Sequence, residues 1–197
     1  VGSIVVGMVF SKVGLTKRIA YRMLMFVGEK TSMILLGVFI MTSALAHIMA
    51  HTAVAAAVFP LLVTIYALYE PNPEKKTKFG MSLFMGMAFV AGAGSIITLL
   101  GAARGAVALG FYHELITEPD RQVTFFGLTY YMFPMGWVMT FLLWGFFMVI
   151  SKPEKKEIPG LRDTATKLYK RLGPMTRQEI LALVITLTAI IIMSLRS

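Results

Sequence analysis

The feature that most constrains the fold is an apolar run of 37 residues, 33–69, with a charged block at each end. A helix crosses the roughly 30 Å of bilayer hydrocarbon with about 20 apolar residues, so the run is long enough to enter a membrane and return. Apolar residues make up 57% of the chain and the mean hydropathy is +0.74, which disfavours a soluble core. The sequence therefore predicts an all-α polytopic membrane protein.

Charged residues lie in four blocks between the apolar runs, and their sign predicts the orientation of the chain. Sixteen of the nineteen basic residues lie in blocks 12–30, 70–78 and 151–178, which the positive-inside rule places in the cytoplasm. Block 113–122 is acidic and is expected outside. The net charge of +9 does not predict nucleic-acid binding, because nucleic-acid-binding proteins spread Lys and Arg over a folded surface.

Residues 33–69 have predicted cytoplasmic blocks on both sides, so this run must return to the face from which it enters. Two full crossings would use almost all of the run and expose the sequence AHTA outside. The alternative is a re-entrant hairpin of two helices with its tip near residues 50–53, inside the membrane. We favour the hairpin because His51 and Thr52 lie there without the Gly, Asn or charged residues typical of an exposed loop.

The next apolar run, residues 79–112, is predicted to be a transmembrane helix with an unwound centre. Glycine costs about 1 kcal/mol per helical position relative to alanine. Close helix packing through small residues is the alternative explanation of the glycines, but it does not explain Arg104, which has no acidic residue in its own run. The glycines concerned are Gly92, Gly94, Gly101 and Gly105.

A single membrane domain, expected to be a fragment of a longer transporter, accounts for residues 1–197. Two amphipathic segments, LTKRIAYRMLMFVGEK with Arg18 on its polar face and LRDTATKLYKRL, are predicted to lie in the membrane interface and to contact lipid; solvated loop helices are the alternative. The predicted segments are a helix end plus interfacial helix at 1–32, the hairpin at 33–69, the interrupted helix at 79–112, one crossing at 123–150, an interfacial segment at 151–178 and a final transmembrane helix at 179–195.

The polar groups within the apolar runs favour transport over catalysis. His47 and His51 have a spacing found in metal sites and would share one face of a continuous helix, but no Asp, Glu or Cys lies in the surrounding runs, so no catalytic residue, metal site or cofactor is predicted. Free helix N-termini at a hairpin tip and at a helix break attract anions, whereas unwound carbonyls and hydroxyls suit a small cation. Without an intramembrane carboxylate, the substrate itself must balance that cation, which indicates an anion carried with Na⁺ or H⁺.

Four segments resemble the divalent anion sodium symporter family, and together they extend over nearly the whole chain. FSKVGLTKRIAYRML is similar to the end of a transmembrane helix followed by an interfacial helix, and MAHTAVAAAVFP occupies the place of the family's Ser-Asn-Thr hairpin tip. GAGSIITLLGAARGAVALGF resembles the family's glycine-rich unwound stretch, and RLGPMTRQEILAL resembles the segment that leads into the second half.

The resemblance implies two inverted repeats, of which this chain is the first, in a plasma-membrane homodimer that works by an elevator movement. It implies Na⁺- or H⁺-coupled symport of a divalent anion such as a dicarboxylate, citrate or sulfate. It assigns substrate contacts to His51, Thr52 and Arg104. It assigns the sodium-lining positions to Ala50, His51, Gly94, Ser95, Thr98 and Gly101.

This sequence departs from the family pattern at three positions. Ala50 replaces a serine, and His51 and Gly105 each replace an asparagine. An imidazole at the tip would bind an anion by hydrogen bonding and would permit proton coupling. Two alternatives stay open: an arsenite or Na⁺/H⁺ antiporter of the same superfamily, and a membrane scaffold that does not transport.

Overall fold

The computed structural model describes residues 2–72, 74–116, 118 and 123–195, and these contain nine α-helices. The all-helical architecture predicted from the sequence is confirmed. Residues 117 and 119–122 of the predicted acidic outer block lie outside the described residues. The helices are α1 (Gly2–Val13), α2 (Leu15–Val27), α3 (Thr31–Ala46), α4 (His51–Tyr69), α5 (Lys78–Ser95), α6 (Ala103–Leu115), α7 (Phe125–Ile150), α8 (Leu161–Arg171) and α9 (Arg177–Leu195).

The centre of the fold is α3, which packs against α2, α5 and α7. Eleven of its sixteen residues are buried, and they lie on all sides of the helix because the sequence TSMILLGVFIMTSALA is apolar around its whole circumference. Helices α4 and α7 carry many exposed apolar side chains, and each is long and apolar enough to cross a membrane. Buried apolar side chains therefore concentrate around α3, while α4 and α7 present exposed apolar surface suited to contact with lipid.

Helices α3 and α4 are joined by a short turn, residues 47–50, which we call the hairpin turn. The prediction of a tip at residues 50–53 is wrong in position, because Thr52 and Ala53 lie in the first turn of α4. The prediction that His47 and His51 share one helical face is also wrong. His47 follows the last residue of α3, whereas His51 is the first residue of α4.

The chain also leaves helical structure between α5 and α6, at residues 96–102, which we call the break. The Ser95 hydroxyl donates to the Gly92 carbonyl at 2.7 Å and closes the last turn of α5. Helix α6 restarts at Ala103. The break therefore begins just after Gly94 and includes Gly101, two of the glycines that predict it.

Residues 151–160, which we call the basal segment, cross the ends of three helices. The Thr31 N–H donates to the Lys156 carbonyl at 2.9 Å, the Lys155 N–H to the Tyr69 hydroxyl at 2.8 Å, and the Lys78 N–H to Glu154 Oε1 at 2.6 Å. Burial by itself would raise the pKa of Glu154, but the N–H donors around it hold the pKa below its usual range. The start of α3, the end of α4 and the start of α5 consequently lie together at one end of the bundle.

A buried ion pair ties α2 to the beginning of α9. Arg18 Nε lies 3.0 Å from Glu179 Oε1, and the guanidinium also donates to the Gly173 carbonyl at 2.9 Å. The Thr176 N–H donates to Glu179 Oε2 at 2.7 Å, while the Glu179 N–H donates to the Thr176 hydroxyl, which is a capping box. The prediction that Arg18 lies on the polar face of an interfacial helix is wrong, because Arg18 is buried and pairs with Glu179. The pair could not be predicted from local sequence, because the two residues are 161 positions apart.

We expect Glu179→Gln to lower the melting temperature of the purified protein in detergent, corresponding to a loss of roughly 3–5 kcal/mol, because Arg18 stays buried without its counter-charge. Glutamine keeps the shape of the side chain and its capping role, so the effect isolates the charge. The matched control is Arg22→Gln on the exposed face of the same α2, which we expect to change little. Equal melting temperatures for the two variants would contradict the structural importance of the pair.

Candidate functional site

The hairpin turn and the break contact each other through three hydrogen bonds. The Gly101 carbonyl accepts from the His51 N–H at 3.2 Å and from His51 Nδ1 at 3.3 Å. In the other direction, the Thr98 hydroxyl donates to the His47 carbonyl at 2.7 Å. Two interruptions of helical structure that are about 50 residues apart in sequence therefore satisfy part of each other's backbone hydrogen bonding.

The bond to Gly101 fixes the tautomer of His51. A carbonyl oxygen only accepts hydrogen bonds, so Nδ1 must carry the hydrogen. In neutral His51, Nε2 is then a lone-pair acceptor that suits a cation or a protonated group. In protonated His51, Nε2 is a donor that suits an anion. The charge preference of this ring thus depends on one proton.

Two glycines allow the chains to approach this closely. A Cβ at Gly94 would lie 2.8 Å from both Cα and Oγ of Ser43 on α3. A Cβ at Gly101 would collide with the Ala46 carbonyl at the end of α3. Because backbone atoms stand opposite both positions, only glycine fits there without separating α3 from the break.

Two helices begin beside this contact without side-chain caps. Helix α4 starts at His51 after Ala50, and α6 starts at Ala103 after Ala102; no side chain caps either of them. The unpaired N–H groups of a helix N-terminus carry roughly half a positive charge and bind anions. The site therefore brings two anion-attracting helix ends to the region where carbonyls and hydroxyls of the turn and break are concentrated.

The middle of α7 forms the neighbouring wall of the site. The His47 ring packs edge-on against Trp137 and Phe133, with ring centroids 5.8 and 6.3 Å apart. Both ring nitrogens of His47 and the Trp137 Nε1 are buried without a hydrogen-bond partner in the described residues. Sequence reasoning does not identify Trp137 as a site residue, because the run around it is uniformly apolar and carries no local signal.

A buried pair of hydroxyls links α7 to α3 next to the close approach at Gly94. The Thr140 hydroxyl lies 3.1 Å from the Ser43 hydroxyl and 2.9 Å from the Gly136 carbonyl of its own helix. Sequence reasoning does not identify Thr140 either. Its only signal is a hydroxyl in the middle of an apolar run, and most such hydroxyls bond to their own helix.

Arg104 and Thr52 do not join the contact at the hairpin turn. Thr52 is exposed on the first turn of α4. Arg104 is exposed on the first turn of α6, where its charge opposes the helix dipole, so local helix stability does not account for it. It lines a largely apolar cavity of about 540 Å³, together with Ser95 and Thr98 of the break. Thr98 thus lies between the hairpin contact and the Arg104 cavity.

The predicted sodium-lining residues are mostly brought together. Gly94, Ser95, Thr98 and Gly101 lie at or beside the break, and Gly101 bonds to His51. Ala50 precedes His51 in the hairpin turn. Within the described ranges, no group of three or more His, Cys, Asp or Glu side chains is arranged to hold a metal ion.

A family model described as "Sodium:sulfate symporter transmembrane region" matches residues 1–196. The chain belongs to this family, the divalent anion sodium symporters. The resemblance seen in the four sequence segments is confirmed, and so is the prediction of a multi-pass protein of the plasma membrane.

Similar proteins come from bacteria and from an insect. The "Sodium-dependent dicarboxylate transporter SdcS" of Staphylococcus saprophyticus subsp. saprophyticus is 26% identical over 95% of this chain and 37% of its own length. "Protein I'm not dead yet" of Drosophila melanogaster is 24% identical over 93% of this chain and 38% of its own. A "Membrane protein" of Cupriavidus necator is 25% identical over 84% and 32%. The chain thus spans about a third of the length of the curated relatives it matches.

We expect Gly94→Ala to lower the stability of the protein by about 1–3 kcal/mol, because the new methyl group meets the backbone of α3 at Ser43. The matched control is Gly92→Ala on the same helix, where a Cβ meets no atom within 4 Å. This control should be neutral or stabilising by up to about 1 kcal/mol, since alanine favours helix. Thermal unfolding in detergent measures both variants, and a Gly94→Ala protein as stable as the control would refute the close approach.

Proposed function

We propose that this chain is the first of two inverted repeats of a secondary active transporter that carries a divalent anion together with Na⁺ or H⁺. The observation that supports this most strongly is the contact between the hairpin turn and the break, next to the uncapped N-termini of α4 and α6. The sodium:sulfate symporter family and the sodium-dependent dicarboxylate transporter of Staphylococcus support Na⁺ as the coupling ion and a dicarboxylate or sulfate as the substrate.

The hairpin turn stops inside the membrane in this proposal. Helix α3 has 16 residues, which at 1.5 Å per residue is about 24 Å and less than the hydrocarbon thickness of about 30 Å. The turn lies beside Trp137, which is the thirteenth of the 26 residues of α7. If α7 spans the bilayer, its middle lies near the bilayer midplane, and the hairpin turn lies there too.

The anion binds at the two helix N-termini, and Arg104 contributes the charge that attracts it. The N–H groups of the first turns of α4 and α6 supply donors, while His51 and Thr52 supply side-chain contacts. Arg104 lies in the apolar cavity that Thr98 separates from the hairpin contact. Arg104 forms no ion pair with the described residues, and the cavity beside it is largely apolar, so a bound anion would supply the missing counter-charge.

The coupling ion binds to oxygen atoms of the turn and the break. Ser95 and Thr98 each donate their hydroxyl hydrogen to a carbonyl. The Thr98 oxygen also accepts from the Gly101 N–H at 3.2 Å, so it keeps one lone pair for a cation, while the Ser95 oxygen keeps two. Carbonyl oxygens of Ala50 and Gly94 complete the proposed ligands. Gly101 lines the proposed sodium site but has no free lone pair, because its carbonyl accepts two hydrogen bonds from His51. Neutral His51 adds the Nε2 lone pair, and protonated His51 replaces the cation charge with its own, which is how H⁺ coupling would operate.

We expect Arg104→Ala, made in a full-length transporter that contains this chain and the second repeat, to abolish uptake of divalent anions by cells that express it. Membrane expression and melting temperature should stay unchanged because Arg104 is exposed. Uptake and counterflow with succinate, sulfate and arsenite measure the effect and identify the substrate class. The control is Arg162→Ala, which removes an equally exposed arginine from α8. Normal uptake in Arg104→Ala would refute its role. Absence of uptake for all three substrates in the unaltered protein would favour a scaffold.

We expect His51→Ala to lower sulfate uptake, because the variant loses the side-chain bond to the Gly101 carbonyl and the proposed substrate contact. His51→Asn should keep activity, since the amide still donates to the Gly101 carbonyl. His113→Ala at the end of α6 is the control, and equal uptake in His51→Ala and this control would rule out a role for the His51 side chain.

A further inference from the structure

A second, basic cavity lies at the other end of the bundle from the hairpin turn, between the start of α3, the end of α7 and the basal segment. Its volume is about 500 Å³. Four lysines and one glutamate line it, and the glutamate, Glu157, is exposed. The lysines are Lys30, Lys152, Lys155 and Lys156. These lysines belong neither to the proposed transport site nor to the four segments that resemble the symporter family.

Three of the four ammonium groups lack a counter-ion within the described residues. Lys155 donates to the Tyr69 carbonyl and lies 3.8 Å from Glu70 Oε2, so its charge is compensated outside the cavity. Lys30, Lys152 and Lys156 are exposed and share the cavity with the single carboxylate of Glu157. The cavity therefore holds an excess of two positive charges.

The N-terminus of α3 adds to this positive field. The first intrahelical bond of α3 runs from the Ile34 N–H to the Lys30 carbonyl at 2.9 Å, so the N–H groups of Ser32 and Met33 have no intrahelical acceptor. The residue that caps this helix is Lys30, and its side chain makes no capping bond. Lysines around a helix N-terminus repel the helix dipole, and a bound anion would relieve that repulsion.

One wall of the cavity is apolar and continues along α7. Trp144, Met148 and Lys152 are spaced four residues apart, so they follow one side of α7 into the segment that continues it. Met148 lines the cavity, and the Trp144 indole donates to the Ser32 carbonyl at 3.1 Å. Val149 and Ile150 nearby are 79% and 56% exposed. A soluble anion would contact only the lysines, whereas a phospholipid has both the phosphate and the acyl chains that this surface fits.

We propose that this cavity is a binding site for an anionic phospholipid. The phosphate lies between Lys30, Lys152 and Lys156 at the N-terminus of α3, and the acyl chains lie along the exposed apolar surface of α7. Basic pockets between membrane helices on the cytoplasmic side are suited to lipid headgroups. By the positive-inside rule, the lysine-rich end of this bundle is the cytoplasmic one. Such a lipid would hold the basal segment against the base of the hairpin.

The test compares lipid binding to two variants that lose the same charge. In one, Lys30, Lys152 and Lys156 are all changed to Gln; in the other, Arg162, Lys167 and Lys170 on the exposed side of α8 are changed to Gln. Native mass spectrometry of the purified protein in detergent measures retention of phosphatidylglycerol against phosphatidylcholine. The melting temperature is recorded with each lipid and with inorganic phosphate.

We expect the unaltered protein and the α8 variant to retain phosphatidylglycerol and to be stabilised by it. At about 1 kcal/mol per lysine, the cavity variant should bind it on the order of 100-fold more weakly. Equal loss in both variants would overturn the site, because it would indicate diffuse attraction to the membrane surface. Equal stabilisation by inorganic phosphate, or equal retention of phosphatidylcholine, would overturn the assignment to an anionic lipid. A cavity variant that unfolds without any lipid is replaced by the single variant Lys152→Gln, which should bind roughly fivefold more weakly.

Discussion

The structure depends on the mutual satisfaction of two chain segments that leave helical structure within the bundle. Irregular backbone is costly away from water, because each unpaired N–H or carbonyl loses its hydrogen bond. The hairpin turn and the break reduce this cost together through the Gly101 carbonyl and the Thr98 hydroxyl. Gly94 and Gly101 make the contact possible, because without a side chain they allow the backbone of α3 to approach at Ser43 and Ala46. The N-termini of α4 and α6, which follow the turn and the break, are therefore held in place by the same contact.

The other end of the bundle fixes the position of the hairpin relative to α5. The basal segment bonds to the first residue of α3, the last residue of α4 and the first residue of α5. The Arg18–Glu179 pair fixes α2 to α9 in the same region. Both are polar contacts, whereas the turn and break are surrounded by apolar packing from α7. The polar base anchors the hairpin, while the turn at its other end is held mainly by packing and by its few bonds to the break.

Part of the candidate site could be predicted from local sequence, and part could not. The break follows from clustered glycines, and the hairpin follows from an apolar run with basic residues at both ends. The turn lies at residues 47–50 instead of 50–53, and at this point the carbonyl of Ala46, the last residue of α3, lies against Gly101. That contact involves a residue 55 positions away, which no helical periodicity encodes. The burial of Arg18 and the role of Trp137 have the same origin, since each depends on a distant partner.

Hydropathy and charge blocks are enough to predict that this chain is helical and membrane-embedded, because each residue contributes its own free energy of transfer from water to lipid. The family also follows from the sequence, because its motifs are local. Which polar groups meet is visible only in the folded chain. There His51 bonds to Gly101, Arg104 lines a separate cavity, and three lysines without an ion pair in the described residues surround the start of α3. Hydrogen bonds and ion pairs act over a few ångströms between residues far apart in the chain, so their partners exist only once the helices have packed.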